Sequence, residues 1–238
     1  MFMKPTSLLL TFLSLTVWLA LNLTAQVPAP TAPVPAPAAA APQTGKTAAV
    51  ASATAPALDP STMGTKVRWL AYKTVSPGAL VRLTVPAGWE MLFPPSRLPH
   101  DWKSGAGGFG RQYGHYVAMN STTFATTFAV ASLTGEDPRY HLSADKGFGK
   151  RLGHALGSGF VGYSDDGKLR PAFSLWAGSV AGGFVSKTYR PPGFNDTVHA
   201  YQNSAWQFGS VVGSNIYQEF RPEVRAMAKK IHLGFLIP

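Results

Sequence analysis

Beyond residue 60 the apolar residues return every three or four positions, the spacing of helix faces rather than of strands. Ser61-Thr62-Met63-Gly64 leads into Val67, Leu70 and Ala71, which predicts a short capped helix. Ser76-Pro77 opens a second to about Phe93, with proline in the first turn, where its missing N–H is no loss. Val81, Leu83 and Val85 also alternate as in a strand and Pro86 falls mid-segment, but the later helices favour a helix here. From about Gly107 to Leu133, the residues Tyr113, Val117, Phe124, Phe128 and Ala131 share a face. Ser143 is placed to cap a helix from Asp145 to about Tyr163, with Phe148, Leu152, Leu156 and Phe160 aligned. Ala172 to Tyr189 aligns Trp176, Val180 and Phe184. Asn195 or Asp196 caps a helix to Phe220, whose face is Tyr201, Ala205, Phe208, Val212, Ile216 and Phe220. Pro222 opens a last, basic helix carrying Arg225, Lys229 and Lys230. Breakers separate these segments at Pro94-Pro95, Glu136-Asp137-Pro138, Asp165-Asp166-Gly167 and Arg190-Pro191-Pro192-Gly193. The pattern predicts an all-α bundle of about five to seven helices over residues 61–238.

The first 60 residues belong to two other regimes. Lys4 followed by an apolar run from Leu8 to Leu21, with a small residue at Ala25, has the layout of a secretory signal, so residues 1–25 are expected to be cleaved. An uncleaved N-terminal anchor is the other reading of that run. Residues 26–60 are dominated by Ala and Pro, lack aromatics and carry no periodicity. Such a stretch buries too little to offset its ordering entropy and is expected to be a disordered linker. Fully extended it would reach on the order of 100 Å, enough for a tether across part of a cell envelope.

Glycine is unexpectedly frequent inside the predicted helices, where each costs roughly 1 kcal/mol relative to Ala. Gly110/Gly114, Gly149/Gly153/Gly157, Gly178/Gly182 and Gly209/Gly213 form five pairs at four-residue spacing, all within helices. That spacing lets helix backbones approach closely, so these nine glycines are expected to be helix-packing positions. Residues 116–133, 171–186 and 197–218 contain no Asp, Glu, Lys or Arg, which raises membrane embedding. Each is a poor span of the roughly 20 apolar residues required, because polar side chains interrupt the first and third and the second is short.

Composition narrows the function classes. The 238 residues include no Cys, which removes disulfides, thiolate catalysis and cysteine metal sites. Charged residues are 13%, with 21 Lys+Arg against 11 Asp+Glu, so the chain is basic without being charge-dense. For an exported protein nucleic acid is not the expected partner. Anionic lipid or an acidic envelope polymer fits the charge better, and a homo-oligomer fits the helix-packing glycines.

No catalytic motif survives its context. Gly105-Ala106-Gly107-Gly108-Phe109-Gly110 matches G-x-G-x-x-G, but no strand precedes it, so no dinucleotide is expected. The serine-hydrolase elbow, the P-loop and the zinc-protease motif are missing, and no cofactor is expected. No two of the six histidines are spaced as a helical metal pair, and no metal site is expected. If a catalytic centre exists, His154, His199 and Glu219 are its candidates, because acid/base or metal-assisted hydrolysis needs such groups to converge. The simpler reading of Glu219 is a helix-end ion pair with Arg221 or Arg225.

Gly108-Phe109-Gly110-Arg111-Gln112-Tyr113-Gly114, Glu136-Asp137-Pro138-Arg139-Tyr140-His141, Phe148-Gly149-Lys150-Arg151 with His154-Ala155, and Asn215 with Glu219-Phe220-Arg221-Pro222-Glu223 carry a resemblance in their order. Together they resemble an uncharacterised family of exported, Gly-rich helical proteins from Acidobacteria-like soil bacteria. Arg221 stands where the resemblance leads one to expect an aromatic residue. The resemblance implies a periplasmic or outer-envelope location and no mechanism. The leading expectation is a non-enzymatic envelope module that associates with a membrane surface or partner. A hydrolase and an apolar-ligand carrier are the alternatives.

Overall fold

The computed structural model describes residues 61–230, with side chains to residue 227. The expected signal and linker, and the last eight residues of the expected bundle, lie outside the described residues. The described part contains eight α-helices and one small sheet. Helix α1 (Met63–Val75) starts with a capping box, in which Thr62 and Thr65 bond reciprocally to each other's backbone N–H. Ser76 ends it and caps α2 (Pro77–Leu92) through a 3.1 Å bond from Ala79 N–H. Proline at the first position and a capping serine thus decide helix over strand for this segment. Pro86 lies buried inside α2, where it has no N–H to donate to the carbonyl one turn before it.

A short turn of helix, α3 (His100–Lys103), enters α4 (Gly105–Thr134). The G-x-G-x-x-G run therefore builds a helix start, with Gly105 at φ 63. Gly135, in the left-handed conformation, ends α4. Then follow β1 (Glu136–Asp137), α5 (Phe148–Gly157), β2 (Val161–Ser164) and β3 (Leu169–Pro171). The last three helices are α6 (Phe173–Phe184), extended by a 3-10 turn over Val185–Thr188, α7 (Thr197–Glu219) and α8 (Arg221–Lys230). Asp196 caps α7 by accepting from His199 N–H at 2.8 Å. Central α4 packs against α1, α2 and α6. Helix α7 packs on α6, and α5 packs on α7.

Two corrections concern boundaries. The helix expected over 145–163 covers only Phe148–Gly157, because Gly147 starts it and Ser143 instead turns back to its own chain by accepting from Asp145 N–H. Past Gly157 the chain pairs as an antiparallel hairpin around Asp165-Asp166-Gly167, with Val161 opposite Pro171, Tyr163 opposite Leu169, and Gly167 at φ 77. The strand β1 joins it with Glu136 opposite Ser164, giving the order β1-β2-β3.

The larger correction concerns which faces point inward. Helix α6 buries Ser174, Gly178, Ser179, Gly182 and Gly183, while Trp176 and Val180 of its apolar stripe are 36% and 48% exposed. Helix α1 buries Lys66 and leaves Val67 outside. Phe148, Leu156 and Phe160 are likewise exposed. Small residues face inward because they admit short interhelical distances. A Cβ on Gly178 would meet the Thr123 carbonyl at 2.5 Å, and one on Gly183 would meet the Ala200 carbonyl at 2.6 Å. Gly178 and Gly182 thus lie against α4. Gly213 is buried on α7. A methyl group added at Gly110, Gly114, Gly149, Gly153, Gly157 or Gly209 would meet no neighbouring helix within 4 Å, so close packing is not the role of these six.

Candidate functional site

One cavity of about 490 Å³ lies between α1, α2, the segment 136–141, the sheet and the C-terminal half of α7. Trp69, Tyr72 and Lys73 reach it from consecutive turns of α1, and Ala79 and Arg82 from the start of α2. The break at Ser76 turns both helices toward this space. Ser214, Tyr217 and Gln218 come from α7, and Arg221 from the start of α8. Phe124 of α4 forms part of the apolar wall and stands edge-on to Trp69, centroids 5.4 Å apart. Val161 and Leu169 line the same space yet are 45% and 66% exposed, which places the mouth at the hairpin.

Four Lys and Arg side chains line the cavity against two carboxylates, and both carboxylates are engaged. Glu136 accepts Ser174 N–H at 3.0 Å and so satisfies the first turn of α6. Asp137 takes Arg139 in a two-toothed bond, Nη2 to Oδ2 at 2.8 Å, and His141 Nε2 at 3.0 Å. Burial works against its ionisation, but His141 and Arg139 outweigh that and hold its carboxyl well below the usual range. Lys73 has no such balance. Burial, followed by the charge of Arg82, brings it down to about 7. Burial also lowers Arg82, against a smaller pull from Tyr72. Tyr72 and Tyr217 are both raised by burial, with Arg221 pulling each back. The buried Tyr217 hydroxyl and Arg221 Nε form no hydrogen bond of ordinary length among the described residues, although the Arg221 side chain lies near enough to that hydroxyl to pull its proton affinity down. The site therefore presents donors and positive charge on a mixed wall whose apolar part is Trp69, Phe124, Val161, Leu169 and Leu175. That arrangement accepts an anion with an apolar body.

Asp137 and His141 form a second feature of the wall. Asp137 orients the imidazole through Nε2, and Tyr163 stands edge-on to the ring at 5.4 Å. Such a pair can take or give a proton. His154 also lines the cavity, and its Nε2 lies 2.9 Å from the His141 carbonyl. A carbonyl only accepts, so this nitrogen carries the proton.

The three expected acid/base residues do not converge. His199 lies in the first turn of α7, bonded to Asp196 at 2.9 Å and partly exposed. Glu219 ends the same helix twenty residues later, about 30 Å along its axis. His154 and Glu219 are neighbours only through Tyr140, whose ring is 5.8 Å from His154 and whose hydroxyl donates to Glu219 at 2.7 Å. Glu219 is 2% exposed and pairs with Arg151 at 2.9 Å, not with Arg221 or Arg225. Burial raises it, but Tyr140, Ser143 N–H and Arg151 together hold it below the usual carboxylate range. It is a structural tie between α5 and α7.

Lys73, Arg82, Tyr217, Arg221 and the Asp137–His141 pair were not singled out by the sequence as a site. The available signal was spacing: Lys66, Trp69 and Lys73 share one helical face, and Asp137 and His141 stand four apart. Among the described residues no group of three or more His, Cys, Asp or Glu is placed to hold a metal ion, and no helix is long and apolar enough to cross a membrane. Compared with protein-family models, curated proteins and solved structures, the chain matches none.

Proposed function

We propose that this chain is a ligand-binding module of the cell envelope whose cavity takes a small amphiphilic anion, an apolar body bearing a carboxylate or phosphate. The observation that carries this reading is a cavity lined by Lys73, Arg221 and Tyr217, whose buried hydroxyl has no hydrogen bond of ordinary length, on a wall that also holds Trp69 and Phe124. Apolar side chains offer burial at roughly 25 cal/mol per Å², while the donors fix the charged end. Calorimetry with octanoate and octyl phosphate tests it. Saturable binding that weakens with salt, falls about tenfold in Arg221→Gln and is lost for octanol supports the reading, since a hydrogen bond to a charge contributes about 1.5–3 kcal/mol. Absence of saturable binding by either anion would sink it. Export is part of the proposal and rests on the N-terminal sequence pattern. N-terminal sequencing of the protein from a cell-envelope fraction should read from Gln26, and a chain retaining Lys4 would overturn cleavage.

The outward apolar face of α6 favours a second reading, contact with a membrane surface. Phe173 and Trp176 touch edge-on at 5.4 Å, Phe160 is tied to them through the bond from Trp176 Nε1 to the Gly159 carbonyl, and Val180 continues the face. Contiguous exposed apolar surface of this kind marks interaction sites. Co-sedimentation with anionic phosphatidylglycerol vesicles should exceed that with neutral vesicles and drop in Phe173→Ser with Val180→Ser. Equal recovery of wild type and variant in the supernatant would exclude it.

A further inference from the structure

We propose that Lys73 is a nucleophilic amine that captures an amphiphilic oxo acid, a carboxylate carrying a ketone and an apolar tail, as an imine inside this cavity. This rests on the anion-binding reading and extends it to a covalent step.

The two inward lysines of α1 are in opposite situations. Lys66 is 3% exposed, and its Nζ has two acceptors, the Ala131 carbonyl at 2.9 Å and Asp165 at 2.8 Å. It ties α1 to the end of α4 and to the hairpin turn, which is a structural role. Lys73, two turns later on the same face, lines the cavity. Among the described residues its ammonium has no hydrogen-bond acceptor, and the contact it makes is with the Phe124 ring, 5.6 Å to the centroid. Lys73 is half-buried and its ammonium is not enclosed, so it reaches the open cavity, where something that enters can meet it. Its surroundings also favour the uncharged amine. Burial and the neighbouring charge of Arg82 bring it to about 7, so a large share is neutral in neutral solution. Desolvation and a neighbouring cation are the two means by which lysine becomes a nucleophile toward carbonyls.

The other donors then have a place in the same chemistry. Arg221 Nε and the Tyr217 hydroxyl, neighbours on the cavity wall and neither in a hydrogen bond of ordinary length, can take the carboxylate. Trp69, Phe124 and Leu175 offer the tail an apolar wall leading toward Leu169 at the mouth. The neutral Nζ donates its lone pair to the carbonyl carbon, and the C=O π pair moves to oxygen. Proton transfer from nitrogen gives a carbinolamine. Nitrogen then loses its second hydrogen as the C–O bond breaks, so the carbonyl oxygen leaves with both amine hydrogens as water. The product is a C=N bond to Lys73, and no oxidant or reductant is consumed.

The test uses the folded full chain with 2-oxooctanoate and sodium cyanoborohydride at pH 7, followed by intact mass and peptide mapping. Expected is a single adduct equal to the ligand less one oxygen atom, on the peptide holding Lys73, suppressed by excess octanoate and absent in Lys73→Met. In Arg221→Gln, trapping of 2-oxooctanoate should fall about tenfold while trapping of the uncharged octanal is retained, because the lost interaction is with the carboxylate. Octanoate affinity is measured on the same preparation. If octanoate binds but label is absent or spread over exposed lysines, the imine is overturned and the binding reading stands. If octanoate does not bind and Lys73 is unlabelled, both fall. Labelling of Lys73 that octanoate does not suppress keeps the imine and overturns the placement of the carboxylate.

Discussion

Gly182 of α6 lies so close to Met119 of α4 that a Cβ placed on it would stand 2.8 Å from the Met119 carbonyl oxygen. Backbone cannot yield as a side chain can, so a methyl group here must push the two helices apart. Gly182→Ala, Gly178→Ala and Gly183→Ala are each expected to destabilise the fold by about 2–3 kcal/mol, the upper part of the overpacking range. Gly110→Ala and Gly114→Ala, whose methyl groups would meet nothing within 4 Å, should instead stabilise by about 0.5–1 kcal/mol through helix propensity. Urea unfolding of the five variants checks both signs. Equal effects in the two groups would contradict the packing described.

A second expectation concerns the end of α7. Glu219 is buried and accepts from Tyr140, from Ser143 N–H and from Arg151, which also reaches Glu223 and lies 4.6 Å over the Phe220 ring. Glu219→Ala leaves the Tyr140 hydroxyl, Ser143 N–H and Arg151 Nε without their acceptor, while Arg151 keeps Glu223, and should cost about 3 kcal/mol. The folded carboxyl is held below its ordinary value, so its contribution is full above about pH 4.3 and is lost as pH falls through the folded value. A double-mutant cycle of Glu219→Ala with Arg151→Met should show a coupling of at least about 1 kcal/mol.

How far the sequence could be read depends on whether the deciding signal was local. Ser76-Pro77, Asp196 and the Arg190-Pro191-Pro192-Gly193 break act within a few residues, and α2, α6 and α7 lie where those signals put them. Rotation of a helix about its axis is decided by its neighbours. Lys66 points inward because Asp165, 99 positions away in sequence, receives it, and Val180 points outward because Gly178 and Gly182 admit α4 instead. The apolar stripe therefore named the wrong side of α6. The strands of two to four residues had no pattern to show, since pairing across the hairpin makes them. The site was hidden for the same reason: Lys73 reads as one more solvated charge until α1 is turned toward Phe124. Of the candidates named from sequence, His154 does lie on the cavity wall, while His199 sits at the far end of α7.

His115 makes acid instability specific. It is 2% exposed on α4, its Nδ1 lies 3.0 Å from the Tyr189 hydroxyl, and burial followed by the charge of Arg190 brings it down to about 3. The unfolded chain takes up that proton near pH 6.5, whereas the folded chain does so only near 3. Between those values the unfolded state binds more protons, so stability falls as pH drops, by up to about 1.4 kcal/mol per pH unit. His115→Gln should flatten the dependence of urea midpoint on pH between 4 and 6.5, whatever its absolute stability. An unchanged slope would mean that other groups cause the acid loss.

Lys73 should reveal itself in the opposite direction, as a residue whose removal strengthens the fold. Its folded value of about 7 lies well below the ordinary 10.4 of a free lysine, so from pH 10.4 down to 7 the unfolded state binds the extra proton. The cost of holding Lys73 in the cavity is absent above that window, grows through it and is complete below pH 7. Lys73→Met keeps the length of the side chain without the charge, and should raise the urea midpoint at pH 7. The gain should shrink toward zero by about pH 10, at a slope of no more than about 1.4 kcal/mol per pH unit. A stabilising substitution that also abolishes anion capture is the signature of a residue retained for function. A variant less stable than wild type at pH 7 would instead give Lys73 a structural partner and remove it from the site.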